Sequence, residues 1–297
     1  MIKVTRYYVE NPKGATATIF VPYDCDNNCP FCINKKEYAD TSKFDLNKIL
    51  DSIVTMDKIS PECDFVLTGG EPFTFSKMDI LWAILETIKH CKGHHDLYIN
   101  TTMPVRTTED YTAMIKTLNR YRGVITGLNV SRHSKFNVQV FQDVRHDVAM
   151  LKTIEMYCGV RINCVLYKDA IDETTALQIF KEVYKDFKIQ FRKDYVSTSY
   201  EDLMTVDQQF VKLRNLYDAR RFQTSLTFGI NRTSWEVCPG VSYHVTLPYS
   251  KIPTDDGDIL IDVIINQEGK IMDDWNDFGQ ELDLEAYEQR EIFTKGI

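Results

Sequence analysis

Three cysteines crowd into one short stretch, Asp24-Cys25-Asp26-Asn27-Asn28-Cys29-Pro30-Phe31-Cys32, spaced by three residues and then two. On a single loop their thiolates lie close enough to ligate three irons of a cubane, and thiolates suit iron–sulfur clusters and zinc alike. A complete protein set for either site has four ligands, yet no fourth Cys or His stands nearby in ligand spacing. A fourth iron would then keep a coordination position open to a small molecule. A zinc site stays open as an alternative, because a distant Cys63 or Cys238 could complete a tetrahedron. With eight cysteines in 297 residues the spacing arises by chance only about 0.006 times per chain, so chance is a weak explanation.

A second constellation, Gly69-Gly70-Glu71-Pro72, begins 37 residues beyond Cys32. That is about the length of a βαβ unit. Adjacent glycines let the backbone approach a ligand closely, and Glu71 can accept a bond from an ammonium group. Alone, such a tetrapeptide is usually a turn. At the end of the strand that follows the cysteine loop it acquires meaning, because parallel barrels build their sites at the C-terminal ends of strands.

These residues need a scaffold, and the pattern supplies one. Strand-like segments run over Ala17–Pro22, Asp64–Thr68, Asp96–Thr101, Val124–Val130, Val160–Tyr167 and Lys188–Phe191. Helical spacing of apolar residues marks Phe44–Met56, Lys77–Lys92, Thr108–Tyr121, Val144–Tyr157, Glu173–Phe187 and about Tyr200–Arg221. Six alternations without a hairpin signal predict parallel strands joined by right-handed crossovers. Eight units would close a barrel; with no seventh or eighth in the remainder, the expected fold is α/β, an open partial (βα)6 barrel over residues 1–221. From residue 222 to 297 the texture becomes β-rich, with strands expected over Ser225–Asn231, Val241–Pro248 and Ile259–Asn266 and turns at Asp255–Gly257 and Gln267–Gly269. No low-complexity linker intervenes, so this appendage is expected to pack on the barrel.

Composition narrows the partners. The net charge is −8, and residues 251–297 alone hold four Lys/Arg against thirteen Asp/Glu, leaving the rest near neutral. An acidic tail is a poor surface for a phosphate backbone and argues against a long nucleic acid. No stretch approaches the roughly 20 apolar residues of a membrane span, and the first residues lack the apolar core of a signal peptide. A cytoplasmic, membrane-free protein is the expectation. The five scattered cysteines read as core packing rather than a disulfide framework.

With its Cys-x3-Cys-x-aromatic-Cys loop, in which Phe31 is the aromatic, and with Gly69–Pro72 one βαβ unit later, the chain resembles the radical S-adenosylmethionine (SAM) superfamily over roughly residues 15–200. The resemblance implies a [4Fe–4S] cluster on Cys25, Cys29 and Cys32 whose unique iron binds the amino and carboxylate groups of SAM. Reductive cleavage would give methionine and a 5′-deoxyadenosyl radical that abstracts hydrogen from a substrate. It also implies that Gly69, Gly70, Glu71 and Pro72 hold the methionine amino group, that Ser131 and Arg145 bind the SAM carboxylate, and that Asn163 contacts SAM. Asn100, Thr101 and Thr102 are expected to line the pocket, with Gln190 and Arg192 facing the same mouth. His133, Asp194 and Tyr195 are acid–base candidates near strand ends, and Cys238 is a candidate hydrogen donor.

The order of elements is most similar to the branch containing the molybdenum-cofactor cyclase and the SPASM-type peptide modifiers. There this sequence departs: Cys238-Pro239-Gly240 and Ile264–Ile271 echo the extension's strand and turn, but Met272-Asp273-Asp274-Trp275 replaces the expected cysteines. A cluster-free, degenerate appendage is inferred. The near-neutral barrel half and the lack of a peptide-recognition module point to a small-molecule or nucleotide substrate, with a peptide as the alternative. A flavodoxin or ferredoxin electron donor is implied by the resemblance. Two readings of other classes compete. A non-enzymatic zinc module calls for a basic patch interleaved with aromatics, which the sequence lacks. An electron carrier normally ligates every iron with cysteine.

Overall fold

Asp45 and Thr107 decide where two of the helices begin. The Asp45 side chain accepts a hydrogen bond from Lys48 N, so the first helix, α1 (Leu46–Ile59), starts two residues later than its apolar pattern predicts. Thr107 and Asp110 form a reciprocal capping box at the start of α3 (Thr108–Arg120). The computed structural model describes residues 3–4, 15–22, 25, 27, 29–32, 34, 40–134, 144–167, 174–194, 208–218, 223–228, 232–246, 251–254, 257–260, 262–274 and 279–283.

Six strands alternate with helices as the sequence predicts. After β1 (Lys3–Val4) come β2 (Thr16–Phe20), α1, β3 (Asp64–Thr68), α2 (Met78–Lys89), β4 (Leu97–Thr101), α3 and β5 (Gly127–Ser131). Then follow α4 (Val144–Ile154), β6 (Gly159–Leu166), α5 (Thr174–Val183), β7 (Lys188–Lys193) and α6 (Gln208–Leu216). Strands β2 to β7 pair in order, all parallel. The helix expected over Tyr200–Arg221 is described only as α6.

Beyond residue 222 the chain forms β8 (Gln223–Phe228), β9 (Arg232–Cys238), β10 (Val241–Thr246), β11 (Lys251–Thr254), β12 (Gly257–Leu260), β13 (Asp262–Ile265) and β14 (Ile271–Met272). Two of these strands add a seventh and an eighth parallel member, where the sequence pattern led us to expect none. β10 pairs parallel with β7, and β13 pairs parallel with β2. Both belong to antiparallel hairpins, β9–β10 and β13–β14, so no crossover helix marks them in the sequence. The eleven-stranded sheet ends in β14 on one side and β8 on the other and does not close. It is an open parallel α/β barrel.

The sheet has two unlike faces. Ala17, Ile19, Phe65, Leu67, Leu97, Ile99, Leu128, Val130, Ile162, Cys164, Ile189, Phe191 and Tyr243 point outward into one apolar core. Against them pack the buried stripes of the helices, such as Ile49, Ile53 and Met56 of α1 and Leu81, Ile84, Leu85 and Ile88 of α2. Alternation then turns the intervening residues inward. Those are largely polar: Thr18, Thr68, Asn100, Asn129, Ser131, Arg161, Asn163, Gln190 and Arg192. Among the described residues no helix is long and apolar enough to cross a membrane.

Candidate cluster and cofactor site

The cysteine loop leaves the C-terminal end of β2, where Val21 N donates to Thr68 O and holds the end of β2 against that of β3. Cys25, Cys29 and Cys32 are half-buried thiols that form no disulfide. Cys32 N bonds Cys29 O at 3.2 Å, folding the last two into one turn. Two asparagines moor the loop: Asn27 Nδ2 donates to Thr102 Oγ1 (3.1 Å) and Asn34 Nδ2 to Gly69 O (2.6 Å). All three thiols, Phe31 and Asn34 line a cavity of about 190 Å³ at the C-terminal ends of the strands. Its far wall is Thr68, Gly69, Gly70 and Glu71 after β3, Asn100 to Thr102 at the end of β4, and Ser131 and His133 after β5.

Gly69 is required by geometry. Its φ is +124°, and a Cβ there would lie 2.4 Å from the carbonyl oxygen of Val21. Glu71 is buried, and its carboxylate receives four bonds from the chain itself. Oε1 accepts from Phe73 N (3.0 Å) and from Thr101 Oγ1, and Oε2 accepts from Thr102 N (2.7 Å) and Thr102 Oγ1 (2.6 Å). Burial pushes the Glu71 carboxyl up, and these donors pull it part of the way back. Glu71 thus ties the β3 loop to the end of β4, and through Thr102 to Asn27 of the cysteine loop. Pro72 is buried behind it.

The remaining expected residues fall in different places. Phe31 packs edge-on against His133 (4.6 Å between ring centres) and beside Tyr167. Asn100 lines the cavity and accepts from Asn129 Nδ2 at 2.8 Å. Asn163 is buried, and its Oδ1 has no partner; it sits beside Ser131 in the β5–β6 register. The Arg145 side chain and Tyr195 lie outside the described residues. His133 accepts from Val165 N through Nδ1. Burial, then the adjacent Arg132, pull its imidazole down to about 3, so it stands neutral. Neither Cys63 nor Cys238 lines the cavity with the three thiols.

The sequence reading missed the brace behind this wall. Arg132 is fully buried and grips Asp147 of α4 through Nε (2.9 Å) and one terminal nitrogen (2.6 Å). Its other terminal nitrogen donates to the carbonyls of Thr102 and Ser131, both at 2.7 Å, and Tyr184 OH donates to Asp147 Oδ2 at 2.8 Å. The only sequence signal was an arginine directly after a strand-ending serine. A second unforeseen group lies at the opposite, N-terminal end of β3 and β4. There His95 joins Asp57 (2.7 Å) and the Cys63 carbonyl (2.7 Å), with Cys91 beside them. Asp57 also accepts from Lys92 N and Gly93 N, which makes the group a staple of the loop before β4.

The donor chemistry fits an iron–sulfur centre with a vacant iron. Three thiols face one cavity beside Glu71, whose oxygens are engaged by four donors, and His133, whose Nδ1 accepts from Val165 N; Asn34 Oδ1 is left as an orphaned buried acceptor in its wall. Burial raises the Cys25 thiol above its ordinary range; bonds from Asn27 offset this in part, while Glu71 and Cys32 add to it. A bound cation inverts that balance and favours the thiolate.

Residues 11–142 match the protein family described as a 4Fe-4S single cluster domain. That match spans the cysteine loop, the Gly69–Pro72 turn and β2 to β5, less than half of the chain. Among solved structures the fold is similar to anSMEcpe with bound AdoMet and Cp18Cys peptide. The TM-score is 0.50 at 17% identity, covering 68% of this chain and 58% of that one. A hexahistidine-tagged form of anSMEcpe with bound AdoMet gives a TM-score of 0.51 at 16% identity, covering 69% and 59%. SuiB of Streptococcus suis gives 0.51 at 15% identity, covering 94% of this chain and 64% of that one. The chain thus spans about three-fifths of the length of these structures, and at such identities the likeness is one of fold. No curated protein matches the chain.

Proposed function

We propose that this chain is a radical SAM enzyme, with a [4Fe–4S] cluster on Cys25, Cys29 and Cys32 and SAM in the adjoining cavity. The observation that carries the reading is the convergence of three thiols and the Gly69–Pro72 turn on one cavity at the C-terminal end of an open parallel barrel. The matching 4Fe-4S family and the AdoMet-bound structures of the same fold support it. When bound, cluster and SAM supply a one-electron cleavage of the sulfonium and a carbon radical that abstracts hydrogen from a substrate.

The chain's own residues supply the rest. Gly69 and Gly70 bring backbone carbonyls to the cavity, and Asn34 Oδ1 offers an acceptor for the SAM ammonium. Glu71 acts by fixing these groups, since its oxygens are already engaged. Ser131 and Arg145 remain our candidates for the SAM carboxylate, and Asn163, Asn100 and Thr101 for its other polar groups. Phe31, held by His133 and Tyr167, shields the cysteine loop from water. The open, polar interior supports a small-molecule or nucleotide substrate. A peptide is the second reading, favoured by the peptide bound in the anSMEcpe structure of similar fold. We also propose a flavodoxin or ferredoxin donor and a cytoplasmic setting. The β13–β14 hairpin supports the branch of the SPASM-type modifiers, without auxiliary-cluster cysteines.

Anaerobic reconstitution tests this directly. The protein should turn brown and release 5′-deoxyadenosine from SAM on reduction. A zinc-loaded protein yielding no such product would end the reading.

A further inference from the structure

On the side formed by β4 to β7 and β10, the inner face of the barrel carries a one-sided charge, whereas Asp64 of β3 and Asp262 of β13 lie on the other side. Strands β4, β5, β6, β7 and β10 contain no Asp or Glu at all. Their inward residues include Arg161 and Arg192. Arg161 Nε donates to Asn129 Oδ1 (3.0 Å), and Asn129 donates on to Asn100, which lines the cavity wall. A hydrogen-bonded row therefore leads from the proposed SAM site to Arg161. Arg192 sits one strand over, opposite Val165 and so two inward positions nearer the strand ends than Arg161, with its Nε buried and unpartnered. Neither guanidinium forms an ion pair among the described residues, although Asp194 lies only two residues beyond Arg192. Burial first, and then the field of Arg192, lower Arg161 to about 10.

Two half-buried guanidiniums without a counter-charge among the described residues are a standing cost that an anionic ligand relieves. Their planar forks match the oxygens of a carboxylate or a phosphate. We infer that the substrate carries an anionic group, carboxylate or phosphate, seated against Arg161 and Arg192 inside the barrel. This rests on the reading of the barrel interior as the substrate chamber of a radical SAM enzyme.

The test uses the full chain with its cluster and two probes, inorganic phosphate and acetate, against chloride at matched ionic strength. Thermal shift and calorimetry should show saturable binding of at least one probe, weakened tenfold or more in Arg161→Gln and in Arg192→Gln. Preference for phosphate assigns a phosphate-bearing substrate, and preference for acetate a carboxylate. Should either glutamine variant fail to fold, Arg161→Lys and Arg192→Lys keep the charge, lose the fork and are expected to bind several-fold more weakly. No saturable binding beyond chloride, or binding unchanged in all the variants that fold, overturns the inference. Release of 5′-deoxyadenosine without substrate is scored separately. Its absence in the wild type defeats the radical reading, whereas a missing anion effect beside normal release defeats only the anion site.

Discussion

Replacing Asp147 of α4 with alanine should strongly destabilise this protein. Arg132 and Asp147 are 1% and 0% exposed, so their charges have almost no water to fall back on. The variant deletes both bonds from the guanidinium and the one from Tyr184, while the bonds from Arg132 to the Thr102 and Ser131 carbonyls stay. A buried charge stripped of its partner costs about 3–5 kcal/mol. Domains are typically stable by only about 5–15 kcal/mol, so about a fifth or more of the total is at stake. Urea titration followed by circular dichroism should show the midpoint falling with the slope unchanged. Asp147→Asn, which keeps the volume and one acceptor, should fall in between. The double variant Arg132→Met, Asp147→Leu should recover most of the loss, because no uncompensated charge remains. A loss below about 1 kcal/mol in Asp147→Ala, or a double variant as unstable as the single one, would refute the account of the brace.

Three further outcomes follow from the site. Gly69→Ala should express poorly or melt many degrees lower, since φ of +124° and the Val21 carbonyl leave no room for a Cβ; a wild-type melting curve would contradict this. Glu71→Gln turns an amide NH2 toward one pair of donors, either Phe73 N with Thr101 Oγ1 or Thr102 N with its Oγ1. It should cost about 1–3 kcal/mol in urea and reduce SAM cleavage, and unchanged stability would show the carboxylate is not the tie described. For Asp57, burial pushes the carboxyl up, but bonds from Lys92 N, His95 and Gly93 N leave it below its ordinary range. Its contribution is therefore complete above the ordinary carboxylate range and lost as pH falls through the lowered folded value. The gap in urea midpoint between wild type and Asp57→Asn should close between about pH 5 and pH 2, and a gap constant with pH would contradict the assignment.

What the sequence made legible was local. The cysteine spacing, the Gly-Gly-Glu-Pro turn and six strand–helix alternations all reside in short windows, and the structure realises each of them. The N-terminal shift of α1 was legible too, in Asp45. What stayed hidden depends on pairing across the chain. β10 and β13 reach the sheet through hairpins, so nothing in their own residues announces a parallel partner. Arg132 and Asp147 are fifteen residues apart with no periodicity to join them. Glu71 looked like a ligand because its type and position fit, whereas its four donors come from Phe73, Thr101 and Thr102, three of them about thirty residues away. The inward face of Arg161 and Arg192 emerges only when strand alternation is combined with register.

Frozen-solution electron paramagnetic resonance of the reduced protein, with and without SAM, bears most directly on the central claim. In the wild type we expect about four irons per chain and a spectrum that changes when SAM is added, with both lost in Cys29→Ala. An unchanged spectrum with SAM, or a fully loaded cluster in Cys29→Ala, would mean that these three thiols do not leave an iron open for the cofactor.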